Sequence, residues 1–121
     1  MMAVEKTRVE FIEMNYNDSR GTMQNNSSEL EIIHNPAEKR FETWIGGKLS
    51  KLDYLEDENS IVMTHVGVHP DLRGHGVAGK LTEVALEYAR GKSLRVIPMC
   101  SYVATYIRRN PQFVELTKQR A

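Results

Sequence analysis

Cysteine is nearly missing from this chain of 121 residues: Cys100 stands alone, so no intrachain disulfide can form. No charged segment followed by an apolar one opens the sequence, and a cytosolic location is the expectation. Long apolar runs are lacking too. A bilayer crossing needs roughly 20 consecutive apolar residues, so no membrane partner is expected. Net charge of one sign is also missing, with 16 basic against 16 acidic side chains, which excludes a strongly basic nucleic-acid binder and an acidic tail protein. His34, His69 and His75 show no metal-ligand spacing, so no metal site is expected. What remains is one domain whose 40% hydrophobic content suffices for an ordinary core.

The charge balance hides an asymmetry. Residues 1–59 carry a net charge of −5 and residues 60–121 a net charge of +5, so an anionic ligand is to be sought in the second half. Residues 1–28 end in a run rich in Asn and Ser that cannot bury enough apolar surface to offset its ordering entropy. They are expected to be a flexible extension, followed by a domain over 29–116 and a tail over 117–121. Leu30, Ile32 and Ile33 mark a strand ending at Asn35-Pro36. Phe41, Thr43 and Ile45 alternate with Glu42 and Trp44, and Gly46-Gly47 tolerates positive φ at both positions, so residues 38–55 read as a hairpin. Ile61–Val68 is nearly continuously apolar and reads as a central strand buried on both faces. Val77, Leu81, Val84, Ala85 and Tyr88 then fall on one helical stripe that Gly91 is placed to end. Leu94–Met99 is a further strand, interrupted or at an edge because of Pro98, and Tyr102–Arg109 a last helix stopped at Asn110-Pro111. The order predicts an α/β fold: a mixed, mostly antiparallel sheet with helices on its faces.

Between the central strand and its helix lies Pro70-Asp71-Leu72-Arg73-Gly74-His75-Gly76-Val77-Ala78-Gly79-Lys80. Glycines let the backbone approach a ligand closely, and the unpaired amides of a helix start attract phosphate oxygens. Gly74, Gly76 and Gly79 satisfy a dinucleotide-binding pattern, but the next strand ends Pro98-Met99-Cys100 where an acidic residue is wanted for the ribose. Gly74 to Lys80 also spell a P-loop, but Leu81 stands where a hydroxyl must hold magnesium. The remaining fingerprint fits best. Arg73-Gly74-His75-Gly76-Val77-Ala78 resembles the Arg/Gln-x-x-Gly-x-Gly/Ala signature of the Gcn5-related N-acetyltransferases. With Asn35, Arg40-Phe41-Glu42, Thr64-His65, Pro98 to Val103, Tyr106-Ile107 and Asn110-Pro111, the chain is similar to the small, minimal acetyltransferase-like subfamily over roughly residues 29–116.

The resemblance implies a domain that takes acetyl-CoA as co-substrate and acetylates an amine, here of unknown identity, as a monomer or small homo-oligomer. It assigns the coenzyme's pyrophosphate to Arg73, Gly74, His75, Gly76, Val77 and Ala78. Backbone amides of Val66 to Val68 become the oxyanion donors, and Arg73, Lys80 and Arg108 complement the phosphates. Tyr102 and Tyr106, one helical turn apart, share a face near the thiol end. One departure bears on mechanism: Arg108 stands where many larger members carry the Tyr that protonates the departing thiolate. A noncatalytic acyl-CoA-binding module is therefore the alternative. For proton transfer the candidates are His65, for which a hydrogen-bonded core histidine is the competing reading, and Glu42, which otherwise is a solvated strand-face carboxylate. Tyr102 is a further candidate, and so is Cys100, at the strand end where the thioester arrives, as nucleophile or proton donor unless it merely fills space.

Overall fold

The structure, a computed structural model, describes residues 5–15 and 24–118. Six strands form one sheet in chain order: β1 (Glu5–Asn15), β2 (Gln24–Asn35), β3 (Arg40–Ile45), β4 (Lys48–Glu56), β5 (Ser60–Gly67) and β6 (Arg95–Pro98). All neighbours are antiparallel except β5 and β6, which run parallel. The parallel pair is joined through α1 (Val77–Gly91), and α2 (Ser101–Arg109) follows β6. This is the mixed, mostly antiparallel α/β architecture that the sequence predicts. The expected boundary after residue 28 falls inside β2, whose pairing with β1 runs from Glu5↔His34 to Asn15↔Gln24. Residues 5–15 and 24–28 are therefore strand, a correction to their assignment as an extension outside the sheet. Residues 24–28, Gln-Asn-Asn-Ser-Ser, carry no apolar residue to give an alternating signal, and their pairing is supplied by β1.

Local chemistry explains the remaining elements. Gly46 and Gly47 adopt φ of +56° and +77°, the left-handed pair that closes the β3–β4 hairpin with the right twist. Alternation then sends Phe41, Leu52, Tyr54, Ile61 and Met63 to one face, where they meet Val77, Leu81, Ala85 and Leu86 of α1 and Val103 and Ile107 of α2. Burying each large aliphatic side chain here contributes about 1.5–3 kcal/mol. Both helices pack into this single cluster. The alternate positions, Glu42, Trp44, Leu49, Lys51 and Asp53, form the sheet's other face, in the register Glu42↔Lys51 and Trp44↔Leu49.

The expectation that β5 is buried on both faces does not hold: its first half is buried on one face, with Val62 on the other only half-buried. Ile61 and Met63 are buried, whereas Thr64 and His65 are exposed. Two features cause this. The β4–β5 register slips between Asp53↔His65 and Tyr54↔Met63, so Thr64 is an extra residue that bends the strand. The ladder to β6 also stops at Met63↔Pro98, while pairing to β4 continues to Lys51↔Gly67. Pro98 cannot donate to the ladder, and the chain turns into α2 with the Cys100 N–H donating to the Met63 carbonyl at 3.0 Å. Beyond that bond β5 and β6 diverge, leaving one edge of residues 64–67 open.

Candidate active site

The fork between β5 and β6 and the glycine loop meet in one cleft. Its larger part, about 480 Å³, is lined by Leu49, Lys51, His65, Gly67, Arg73 and Tyr102, together with Val66, Val68 and Ala78. A second concavity of about 230 Å³ runs along Gly74, Gly76, Val77 and Gly79 at the start of α1. Val68, Arg73, Ala78 and Tyr102 line both, so the two are continuous.

The loop is built to receive an anion. Gly76 is the residue before α1 and sits at φ +81°, with Gly74 at +85°. A β-carbon at either would meet nothing within 4 Å, so the space in front of the backbone is open. No side chain caps the helix, and its first internal bond runs from the Lys80 N–H to the Gly76 carbonyl at 3.1 Å. The amides of Val77, Ala78 and Gly79 therefore have no intrahelical acceptor and stand at the positive end of the dipole. These features fit a pyrophosphate. Arg73 makes no ion pair among the described residues, whereas Lys80 lies 3.7 Å from Glu83. His69 serves the loop structurally: its Nδ1 accepts from the Asp71 N–H at 3.1 Å, and its own N–H donates to Ser50 Oγ at 3.3 Å. Asp71 in turn is tied to Lys48 at 2.7 Å, which holds its carboxyl below the usual range.

The sequence-derived site residues separate into two groups. The structure brings together His65, Val66, Val68, Arg73, Gly74, Gly76, Val77, Ala78 and Tyr102 around the cleft. His65 is exposed rather than a core histidine, because the bulge and the departure of β6 leave its face uncovered. Its Nε2 would stand 3.1 Å from a β-carbon at Gly67, so the imidazole lies over the glycine. Tyr102 Oη approaches the start of α1 at Gly79. Burial raises this hydroxyl above the ordinary tyrosine value, against a lowering by Arg109. Tyr106 also faces Gly79, packs its ring at a tilt beside those of Tyr102 and Phe113, and is raised chiefly by burial.

The second group lies elsewhere. His75 is half-buried in the loop and lines neither concavity. Arg108 is exposed and donates to Thr105 Oγ1 at 3.0 Å. Cys100 precedes α2, is half-buried against the core and lines neither concavity. Glu42 is buried rather than solvated, on the sheet face two strands from β5. Burial pushes its carboxyl up, but hydrogen bonds from Arg40, Trp44 and Asn35 outweigh this and hold it below the usual range. Leu49 and Lys51 are cleft residues that sequence reasoning missed. Their signal was the hairpin register, which places Lys51 opposite Gly67 once β4 is paired with β5.

Among the described residues no group of His, Cys, Asp or Glu could hold a metal ion. No helix there is long and apolar enough to cross a membrane. Among solved structures, a nourseothricin acetyltransferase aligns over 89% of this chain and 70% of its own, at 16% identity and a TM-score of 0.39. Protein NATD1 of Xenopus tropicalis is 23% identical over 94 residues, which cover 74% of this chain and 86% of that protein. A family model described as GCN5-related N-acetyl-transferase matches residues 40–116, from the first residue of β3 through the cleft to the turn after α2, and on that match the chain belongs to the GCN5-related N-acetyltransferases.

Proposed function

We propose that the chain transfers an acetyl group from acetyl-CoA to an amine. The observation that carries this reading is the continuity of an uncapped helix start, opened by two left-handed glycines, with the unpaired edge of β5. One end suits a diphosphate and the other a carbonyl awaiting attack.

The amides of Val77, Ala78 and Gly79 would hold the pyrophosphate, with Arg73 adding a charge-assisted contact where the two concavities join. Acetyl-CoA, when bound, supplies an activated thioester carbonyl. In the fork, those backbone N–H groups of Val66, Gly67 and Val68 that face away from β4 are donors for the charge that develops on an acyl oxygen. His65, uncovered beside Gly67, accepts the proton that an attacking amine must lose. Tyr102 donates the proton that a departing thiolate takes up; its hydroxyl, raised by burial, stays protonated at neutral pH. Cys100 fills the point of the fork, where its N–H already secures Met63.

Calorimetry with coenzyme A and a thiol-release assay with acetyl-CoA and a panel of amines test the proposal. Binding with thiol release on at least one amine is the expected result. Binding with no release on any amine would favour the acyl-CoA-binding module. Absence of binding would refute both.

A further inference from the structure

Neither the loop nor the fork uses Trp44, the chain's single tryptophan. It is 52% exposed on the sheet face turned away from the core, yet its indole is fixed: Nε1–H donates to Glu42 Oε2 at 2.8 Å. Glu42, only 6% exposed, is itself immobilised, since its Oε1 accepts from Arg40 Nε at 2.8 Å and from Asn35 Nδ2 at 3.0 Å. An ionised carboxylate with three donors is an anchor and has little remaining capacity to take a proton. Holding a large ring still at the surface costs side-chain entropy while leaving about half of it exposed, an arrangement that suits a preformed contact surface.

Register gives that surface a direction. Trp44 pairs with Leu49, and Leu49 and Lys51 line the cleft with His65 and Gly67. From β3 to β5 is two strand spacings, about 10 Å, and the register Lys51↔Gly67 sets Gly67 two residues, about 7 Å, along the strands from the Trp44↔Leu49 pair, a diagonal of about 12 Å that the Trp44 side chain and a ligand ring carried on a short tether can cover. The charges beside the indole are neutralised within the platform, Arg40 by Glu42 at 2.8 Å and Lys51 by Asp53 at 3.3 Å. The cleft beyond holds Arg73, which makes no ion pair among the described residues and disfavours a second ammonium group.

We infer that Trp44 is the acceptor platform and that the acceptor is an arylalkylamine: its flat aromatic body stacks on the indole while its amine reaches His65 over Gly67. Glu42 is a positioning residue that fixes the indole. The inference rests on the acetyltransferase reading above, which supplies the reaction at the far end of the cleft.

With one tryptophan, emission reports this position alone. Titrating the full chain with 2-phenylethylamine should give a saturable change in Trp44 emission, and spermidine should give none. In steady state, Trp44→Ala should raise KM for 2-phenylethylamine about tenfold, the scale of a lost aromatic stack with its buried area, while kcat and coenzyme A affinity hold. Trp44→Phe, which keeps a ring without the N–H, should recover part of that loss. A flat emission titration, an unchanged KM in Trp44→Ala, or a higher kcat/KM for spermidine or for an acidic peptide would overturn the inference. Failure of the wild-type chain to bind coenzyme A by calorimetry would instead refute the loop assignment, and the emission titration, which needs no coenzyme, would still decide the platform.

Discussion

Replacing Gly76 with alanine separates what the backbone needs from what the ligand needs. At φ +81° an L side chain costs about 1–2 kcal/mol, but the new β-carbon meets nothing within 4 Å, so the variant folds. The melting temperature should fall by about 4 °C per kcal/mol. The methyl group then occupies the open approach to the amides of Val77, Ala78 and Gly79, and losing one charge-assisted bond there removes about 1.5–3 kcal/mol. Coenzyme A affinity, read by calorimetry, should weaken by roughly tenfold to a hundredfold. Gly47→Ala is the matched control: its φ of +77° and open surroundings impose the same backbone cost in the β3–β4 turn, away from both concavities. Wild-type affinity in folded Gly76→Ala, or an equal loss in Gly47→Ala, would refute the reasoning.

Three further expectations concern chemistry, pH and extent. Tyr102→Phe should lower kcat by about 100-fold or more with coenzyme A affinity kept, whereas Cys100→Ala should cost about 1 kcal/mol of stability with turnover per folded molecule kept; kinetics and thermal melts on both distinguish proton donor from filler. Glu42 has a depressed folded value, so its contribution is present above its unfolded value and lost as pH falls through the folded one. Unfolding free energy measured down through the carboxylate range should therefore drop more steeply in wild type than in Glu42→Gln. Removing residues 1–28 takes away β1 and the outer part of β2 but spares the buried Leu30 and Ile32, so a cooperative, coenzyme-A-binding domain with a lower melting temperature should remain; a non-cooperative melt would contradict this.

Elements with strong local determinants were legible in the sequence. The stripe from Val77 to Tyr88 could only be a helix, and Gly46-Gly47 could only be a tight hairpin, because each signal is periodic or conformational within a few residues. The glycine loop was legible for the same reason. The fork was not, since its geometry arises from two events distant in sequence: the extra residue Thr64 opposite β4 and the loss of pairing after Pro98 in β6. Without them, His65 reads as one more residue of an apolar strand. Glu42 was misread as solvated for a related reason: its burial comes from Asn35, Arg40 and Trp44 folding over it. Lys51 and Leu49 became visible only once the register joined the hairpin to β5.

The substitution at position 108 can be understood from the same geometry. On an α-helix six residues turn through about 600°, leaving position 108 about 240° around the axis from position 102. Tyr102 and Tyr106, four residues apart, face Gly79 at the start of α1, whereas Arg108 is exposed and bonded to Thr105. A tyrosine at 108 would emerge on that same outward side, beyond reach of the cleft. The face of α2 that meets the loop thus already carries an aromatic hydroxyl at its N-terminal end, one residue after the helix begins at Ser101. That end lies next to the fork, since Cys100 bonds Met63 where β5 and β6 part. With arginine at 108, α2 still presents Tyr102, the hydroxyl that both concavities share, and the proposed proton transfer is assigned to it.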